Sequence, residues 1–461
     1  MKKLFFTTVI LMCCFVWVSA QPCLPNGISF SSQEEIDNFQ TNYPNCKEIQ
    51  GNVVISGWDI ENLDGLNVLN SIGGDFTFFG NSIYNLEGLN NLVFVGGNFS
   101  IGFSDPPYIT QGNTNLQNLS GLENLTSIGG YLLIRDNYDL TSLSGLDNLT
   151  SIGRSLRIIF NPGLERISAL NNVTSIGGTL EIYHCYSLKR LSGLGNVTSI
   201  MDNIEFTLNG LTSLLGLKNV TSVGGSLSIL YHDSLTSLSG LDNVTFIGSD
   251  LRIKDNDSLT SLTGLDNVTS IGNDLWITGN DALTSLSGLD NLTSIGGNLK
   301  IGKTWDGNNS LTSLTGLDNL ASIGGNLRIE DNPYLSNCSV LSICNYLSDP
   351  AGTTWIMNNV TGCNSPEEVL DSCETHDGII DEQYIRDNLL LYPNPADRKV
   401  NISIVGFTID EVGTYTLAGQ QILQEKYLNG SLDISNLPDG MYIIEIKVEE
   451  TRLRRKLLIR R

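Results

Sequence analysis

Residues 259–280 read LTSLTGLDNVTSIGNDLWITGN, and close variants of this phrase recur between Leu63 and Asn332. Successive copies are mostly 24 residues apart, with one insertion of about ten residues near 105–113 and one of four near Trp305. Each copy contains one small anchoring residue, and these are Gly65, Gly88, Gly121, Gly145, Ala169, Gly193, Gly216, Gly240, Gly264, Gly288 and Gly316. A fixed period of this length indicates one structural unit that is repeated and stacks on its neighbours.

The apolar positions within a copy predict what this unit is. In residues 259–280 they are Leu259, Leu262, Leu265, Val268, Ile271, Leu275 and Ile277. Leu275 and Ile277 flank Trp276. This alternation predicts a short strand in which Leu275 and Ile277 point inward and Trp276 points outward. A leucine-rich horseshoe with a helix in each repeat is the competing architecture. The copies contain almost no Ala, Glu, Gln or Lys, which helices favour, so we predict a helix-poor parallel β-solenoid with one turn per repeat.

Two columns of asparagine are expected to stabilise the turns. The first column contains Asn124, Asn148, Asn172, Asn196, Asn219, Asn243, Asn267, Asn291 and Asn319. The second contains Asn137, Asn161, Asn209, Asn256, Asn280 and Asn332, with Cys185 and His232 in the same position of two other copies. Stacked amides hydrogen-bond along a solenoid axis, so Cys185 is predicted to be a buried substitute for asparagine. Many first-column asparagines also lie in N-x-T sequons, which carry glycans in a eukaryotic secretory route.

Residues 1–20 have the features of a secretory signal peptide. Lys2 and Lys3 precede an apolar run over residues 4–18, and small residues end the segment before Gln21. No other stretch approaches the ~20 apolar residues of a membrane span, so none is expected in the mature chain.

The cysteines of an exported chain are expected to form disulfides, because the chain meets an oxidising compartment. They form two groups at the ends of the repeats: Cys23 and Cys46, then Cys338, Cys344, Cys363 and Cys373. Zinc is the alternative for the second group, but its spacing lacks a C-x-x-C pair. Which of these four cysteines pair stays open.

Composition argues against several classes of function. The chain has 461 residues with 49 acidic and 26 basic side chains, a net charge of −23. Nucleic acid is not an expected partner, because phosphate binding needs basic patches. No nucleotide-binding loop, zinc-protease motif or nucleophile elbow occurs. We therefore predict no catalytic, cofactor-binding or metal-binding residue.

Two groups of acidic residues are the exceptions to consider, one for glycosidase catalysis and one for calcium binding. Glu181 and Glu205 fall in one register on adjacent copies, at about the 5 Å separation of a retaining glycosidase, although Arg157 beside them favours a charge ladder. The acidic segments 255–257 and 331–332 resemble calcium ligands only weakly, because they lack the spacing of an EF-hand loop.

The outward positions of the short strand vary between copies, whereas most other positions are nearly constant. They mix aromatic and charged residues, the composition of a contact surface. The candidate ligand-binding face comprises Arg157, Tyr183, Leu230, Arg252 and Trp276. Simple drift of solvent positions is the alternative. Because Trp276 points outward, its replacement by alanine is expected to change stability by no more than about 0.5 kcal/mol.

The repeat phrase L-x-x-L-x-G-L-x-N-[LV]-T-S-I-G-G-x-L-x-I resembles the receptor L-domain-like leucine-rich family, and the segments around Cys23–Cys46 and Cys338–Cys373 resemble its caps. The resemblance implies a right-handed parallel β-solenoid with disulfide-bonded caps and a role in binding. The cysteine-rich module, membrane span and kinase of the family's receptors do not occur here, so transmembrane signalling is not implied.

The last seventy-odd residues have a different pattern. Strands are predicted at 400–405, 412–417, 431–434 and 441–448, which together form a small antiparallel β-sandwich, and the basic end of the chain is interpreted as a solvated tail. Tyr392-Pro393-Asn394-Pro395, the Leu437–Tyr442 segment and the closing Lys456–Ile459 resemble the C-terminal sorting domain of type IX secretion cargo in Bacteroidetes. That resemblance implies handling by the type IX machinery and a final location at the cell surface or outside the cell.

The sequence thus predicts an all-β protein with six segments. They are a signal peptide (1–20), an N-terminal cap (21–60), repeats (61–335), a C-terminal cap (336–378), a linker (379–388) and a sorting domain (389–461). The predicted function is binding or adhesion to an extracellular glycan or protein, without a cofactor. A polysaccharide-active β-helix enzyme and a structural surface-layer protein are the alternatives.

Overall fold

The computed structural model describes residues 22–105, 109–303, 306–377, 389–404, 409–417, 419–426, 431–448 and 451–461. The predicted signal peptide and linker lie outside these residues. The chain divides into two compact units, one ending at His232 and the other beginning at Asp233.

A parallel β-solenoid forms from two sheets, and this confirms the predicted all-β fold. The first sheet contains one strand of three or four residues per turn. In the first unit these strands are Ile28–Phe30, Val53–Ile55, Phe76–Phe78, Phe99–Ile101, Leu132–Arg135, Leu156–Ile159, Leu180–Tyr183, Ile204–Thr207 and Leu227–Leu230. In the second unit they are Leu251–Lys254, Leu275–Thr278, Leu299–Ile301, Leu327–Glu330 and Thr354–Met357. The parallel stack therefore continues beyond residues 61 and 335, into the segments expected to be caps.

The second sheet contains two-residue strands that end in a buried Ile or Val. In the first unit they are Glu48–Ile49, Ser71–Ile72, Phe94–Val95, Ser127–Ile128, Ser151–Ile152, Ser175–Ile176, Ser199–Ile200 and Ser222–Val223. In the second unit they are Phe246–Ile247, Ser270–Ile271, Ser294–Ile295 and Ser322–Ile323. The longer insertion contains an antiparallel pair, Phe103–Asp105 with Ile109–Gln111.

Helices in the described residues are few and short, as predicted. The α-helices are Gln33–Asp37, Phe39–Asn42, Leu341–Ser348 and Pro366–Asp377, and the 3-10 helices are Asp64–Leu66, Ser168–Asn172, Ser192–Leu194 and Leu215–Leu217. Three disulfides lie near the ends of the solenoid: Cys23–Cys46, Cys338–Cys363 and Cys344–Cys373. The structure thus assigns the pairing that the spacing left open.

The repeated leucines form the core between the sheets. All seven apolar positions of residues 259–280 are at most 1% exposed, and full burial of each such side chain contributes roughly 1.5–3 kcal/mol. Gly264 allows two turns to approach, since it has a φ of +111° and a Cβ there would overlap the carbonyl oxygen of Leu238. Its N–H donates to the Asp266 carboxylate at 2.8 Å, which explains the recurring G-L-D phrase.

Both asparagine columns are ladders of hydrogen bonds. In the buried second column, the N–H of Asn280 donates to the side-chain oxygen of Asn308, and Asn308 donates in the same way to Asn332, both at 3.1 Å. First-column asparagines are exposed and donate to a carbonyl of the preceding turn, as Asn267 does to Asp242 at 2.6 Å. Cys185 is fully buried in the second column, as predicted, and burial raises the pKa of its thiol to about 12.

Two antiparallel sheets form the C-terminal domain. Leu389–Tyr392, Lys399–Ile404 and Ser431–Asp433 make one sheet. Gln421–Lys426, Glu411–Thr416, Gly440–Val448 and Thr451–Ile459 make the other, and side chains of both sheets share one core. The interpretation of the basic end as a solvated tail is wrong, because it forms a strand whose Leu453, Leu457 and Ile459 are buried at every second or fourth position.

Candidate binding surfaces of the solenoid

Parallel register aligns the outward side chains of the first sheet in the second unit. The middle residues of successive strands are direct neighbours and form a cation–aromatic column: Arg252, Trp276, Lys300, Arg328 and Trp355. Trp355 is 42% exposed. A column that combines cations with indole rings has the composition of a protein or sugar contact.

Trp276 lies between two cations rather than standing free. The Arg252 guanidinium carbon is 5.2 Å from its ring centroid and the Lys300 ammonium is 5.1 Å away, each from a neighbouring strand. The indole N–H donates to the Asp274 carboxylate at 3.2 Å, and the side chain is half-buried. Trp276 therefore points outward as predicted, but its neighbours occupy much of its surface.

Carboxylates hold the cations of this column in place. The Arg252 guanidinium is 2.6 Å from Asp250 and the Arg328 guanidinium is 2.5 Å from Glu330. Burial and then the nearby Arg328 charge lower the pKa of Lys300. The column therefore exposes aromatic surface and anchored cations, without a large excess of charge.

Arg157 and Glu181 form an ion pair in the first unit, with 2.6 Å between Nε and Oε2. Glu205 is the register neighbour of Glu181, and one of its oxygens accepts a hydrogen bond from the Asn203 amide at 2.9 Å. Both carboxylates thus have polar partners, an arrangement that favours the charge-ladder alternative.

Tyr183 belongs to an aromatic cluster where the strands Leu156–Ile159 and Leu180–Tyr183 end, formed by Phe160, Tyr183, His184 and Tyr186. The Tyr183 ring centroid is 5.1 Å from that of Phe160 and 4.1 Å from that of His184. The Tyr186 hydroxyl and His184 Nδ1 are hydrogen-bonded at 2.9 Å. Phe160 and His184 have φ values of 54° and 56°, which bulky residues rarely adopt.

The five predicted face residues have different local partners in the structure. Arg252 contacts Trp276 in the second unit, whereas Arg157 pairs with Glu181 and Tyr183 packs in the aromatic cluster of the first unit. Leu230 is half-buried, and it is the register neighbour of Thr207 on the next strand of the first unit.

A groove beside Tyr186 was missed by the sequence reasoning. This Tyr186 groove has a volume of about 520 Å³ and is lined by Glu165, Arg166, Tyr186, Ser187 and Lys189. The signal for it is a departure from the repeat, since charged residues replace the usual Thr-Ser pair in two adjacent copies.

Five aspartates line another groove, of about 450 Å³, in the second unit: Asp255, Asp257, Asp281, Asp306 and Asp331. Burial first, and then the Asp281 and Asp233 charges, raise the pKa of Asp257. Asn256 and Asn332 point into the buried ladder. Neither calcium candidate, residues 255–257 or residues 331–332, therefore presents all its side-chain oxygens to one cation. Among the described residues, no group of three His, Cys, Asp or Glu is arranged to hold a metal.

The architecture defines a disulfide-capped repeat protein with a separate C-terminal β-sandwich. Residues 390–460 match the family described as the secretion system C-terminal sorting domain. The type IX secretion system therefore exports the protein, which is either secreted or displayed at the cell surface. No curated protein matches the chain. No helix within the described residues is both long enough and apolar enough to cross a membrane.

Proposed function

We propose that this exported protein binds or adheres to an extracellular glycan or protein through its solenoid, which we assign to the receptor L-domain-like leucine-rich class. The cation–aromatic column is the observation that supports the proposal. Core positions of the repeat are constant because the solenoid needs them, whereas this column contains Trp, Arg and Lys at positions that face outward. Trp and Arg are the residues most enriched at the energetic centres of interfaces.

Export follows two steps in this proposal. A signal peptide over residues 1–20 directs the chain across the inner membrane, and the sorting domain then directs it across the outer membrane. The solenoid folds around its disulfides and presents its first sheet outside the cell. This order agrees with cysteines placed at the ends of the solenoid in an oxidising environment.

Trp355 is the residue that tests the binding face. The purified exported protein is applied to an array of glycans and of surface proteins, and the affinity for each hit is measured for the Trp355→Ala variant. Loss of an exposed aromatic at the centre of an interface costs about 2 kcal/mol or more, roughly a thirtyfold weaker Kd. Trp58→Ala is the matched control, because Trp58 is 73% exposed and lies outside the column. Equal binding by both variants and the wild type contradicts the proposed face.

The enzyme alternative rests on Glu181 and Glu205, and it has its own test. A glycosidase loses activity when either carboxylate becomes an amide, so polysaccharide cleavage by the wild type that disappears in Glu181→Gln and Glu205→Gln favours the enzyme. A surface-layer protein instead assembles into arrays without any ligand. Electron microscopy of the purified protein distinguishes this third function from binding.

A further inference from the structure

Two adjacent turns of the first unit depart from the repeat at the same place. A Thr-Ser pair follows the first leucine of most copies: Thr141-Ser142, Thr212-Ser213, Thr236-Ser237, Thr260-Ser261, Thr284-Ser285 and Thr312-Ser313. The two intervening copies have Glu165-Arg166 and Lys189-Arg190 instead. Backbone β-bridges pair Arg166 with Ser142 and Arg190 with Ser213 on neighbouring turns. The charged pairs therefore occupy the same position of the turn as the Thr-Ser pairs. Four charged residues therefore replace small hydroxyls without altering the turn.

An exposed aromatic ring lies beside these charges. Tyr186 is 49% exposed and lines the Tyr186 groove together with Glu165, Arg166 and Lys189. Later copies have Asp233, Asp257 or Asp281 at the equivalent position. The hydrogen bond between Tyr186 and His184, and the edge-on contact of the two rings, fix the orientation of the phenol. The groove thus places an oriented, exposed ring next to charged groups.

Several arginines elsewhere in the solenoid differ from the cations of this groove in being ion-paired. Arg135, Arg157, Arg252 and Arg328 each form an ion pair with an Asp or Glu. No ion pair within the described residues includes Arg166 or Lys189, whose ammonium group donates to the Tyr186 carbonyl at 3.3 Å. Only Glu165 offsets these two cations among the residues that line the groove. A protein of net charge −23 therefore keeps a local excess of positive charge beside an exposed ring.

We propose that the Tyr186 groove binds an acidic oligosaccharide, one that carries carboxylate or sulfate groups. The C–H face of a pyranose ring packs on the exposed face of Tyr186. The Arg166 guanidinium makes paired hydrogen bonds with a carboxylate or sulfate, while Lys189 contributes a point charge and Glu165 accepts from sugar hydroxyls. The groove is open and places charged groups beside an exposed ring, which suits a sugar chain better than a buried apolar ligand. This inference rests on the proposed binding function and assigns it to residues other than those of the cation–aromatic column.

Titration of the full exported protein with three oligosaccharides of equal length tests the site. The probes are an oligogalacturonate, a sulfated carrageenan fragment and a neutral galactan. We expect at least one acidic probe to bind at least tenfold more tightly than the neutral one, and added salt to weaken its binding. Preference between the two acidic probes identifies the anionic group. Equal affinity for the neutral and acidic probes, or no binding of any of them, overturns the proposal.

Five variants locate the site. Arg166→Gln and Lys189→Gln are each expected to weaken the acidic probe at least tenfold, whereas Arg154→Gln, which changes an exposed arginine of the same unit, leaves it unchanged. Tyr186→Phe keeps the ring and is expected to retain most of the affinity. It is the control for Tyr186→Ala, which removes the ring and whose fold must be checked separately. Equal effects of Arg154→Gln and Arg166→Gln overturn the assignment.

Loss of binding in Trp355→Ala but not in the groove variants also overturns it, although the general binding function then stands. Binding confined to proteins, with no oligosaccharide bound, overturns the groove proposal in the same way.

Discussion

The thiol of Cys185 lies 3.7 Å from the carbonyl oxygen of Ile158. In the preceding turn, the equivalent position is occupied by the side-chain amide of Asn161. That amide donates to two carbonyls, of Ile134 at 2.8 Å and of Ile159 at 3.0 Å. The sulfur lies near the two equivalent carbonyls but is only a weak donor. Cys185 therefore replaces the strong amide donor of this ladder with a weak one.

Restoring asparagine at this position is expected to stabilise the first unit. Cys185→Asn supplies a donor for both carbonyls, and each added hydrogen bond contributes about 0.5–1.5 kcal/mol to the free energy of unfolding. Cys185→Ala removes the thiol and is expected to lower that free energy by about 1 kcal/mol. Urea unfolding of the oxidised protein measures both. A destabilised Cys185→Asn variant contradicts the ladder explanation.

The same thiol is expected to be unreactive in the folded protein. Burial raises the pKa of Cys185 to about 12, so roughly one molecule in 10⁴ carries a thiolate at pH 8, and the thiolate is the reactive form. A chromogenic thiol reagent should label the protein only after denaturant is added. The Cys185→Ala variant identifies the thiol, because it removes that signal. Rapid labelling of the native protein at pH 8 contradicts the burial of this side chain.

The residues explain which parts of the fold could be predicted. Most copies have Leu at the position of Leu259 and Asn at the position of Asn280, so the period alone predicts the burial and stacking of these residues. A third ladder, in which the N–H of Asp274 donates to Asp250 at 3.1 Å and that of Asn298 donates to Asp274 at 2.7 Å, was missed. Asp, Asn and Ser all accept that bond, so no single residue type marks its position. The Thr451–Ile459 strand was missed because its basic residues obscured the buried alternation.

The candidate sites were less predictable than the fold for a related reason. Alignment of the copies identifies Arg252 and Trp276 as register neighbours, but their contact depends on rotamers that only the three-dimensional structure shows. Tyr186 was also overlooked, since it follows the strand instead of lying within it. Its partner His184 appears in the sequence as one variable residue among many. What joins them into a site is the hydrogen bond between the Tyr186 hydroxyl and His184 Nδ1, which the repeat pattern does not show.

Trp276→Ala is expected to destabilise the second unit by about 1–2 kcal/mol, more than its outward position alone predicted. Two cation–π contacts of about 0.5–1 kcal/mol each, and the hydrogen bond to Asp274, are lost together. Trp276→Phe keeps a ring between Arg252 and Lys300 and is expected to cost less. Thermal unfolding of both variants measures the difference, with the exposed Trp58→Ala as control. Unchanged melting of Trp276→Ala contradicts the stabilising role of the column.

Removal of residues 389–461 is expected to leave the solenoid folded but trapped in the periplasm. The buried core of the C-terminal domain consists of its own side chains, such as Val400, Ile444 and Leu457, so its loss opens no cavity in the repeats. Cell fractionation and protease treatment of intact cells locate the truncated chain, and its melting temperature reports whether the solenoid is intact. A periplasmic reporter fused to residues 389–461 is the matched control, since the sorting domain alone should carry it to the surface. Normal surface appearance of the truncated chain means that the export address lies elsewhere, whereas a truncated chain that unfolds means that the two parts depend on each other for stability.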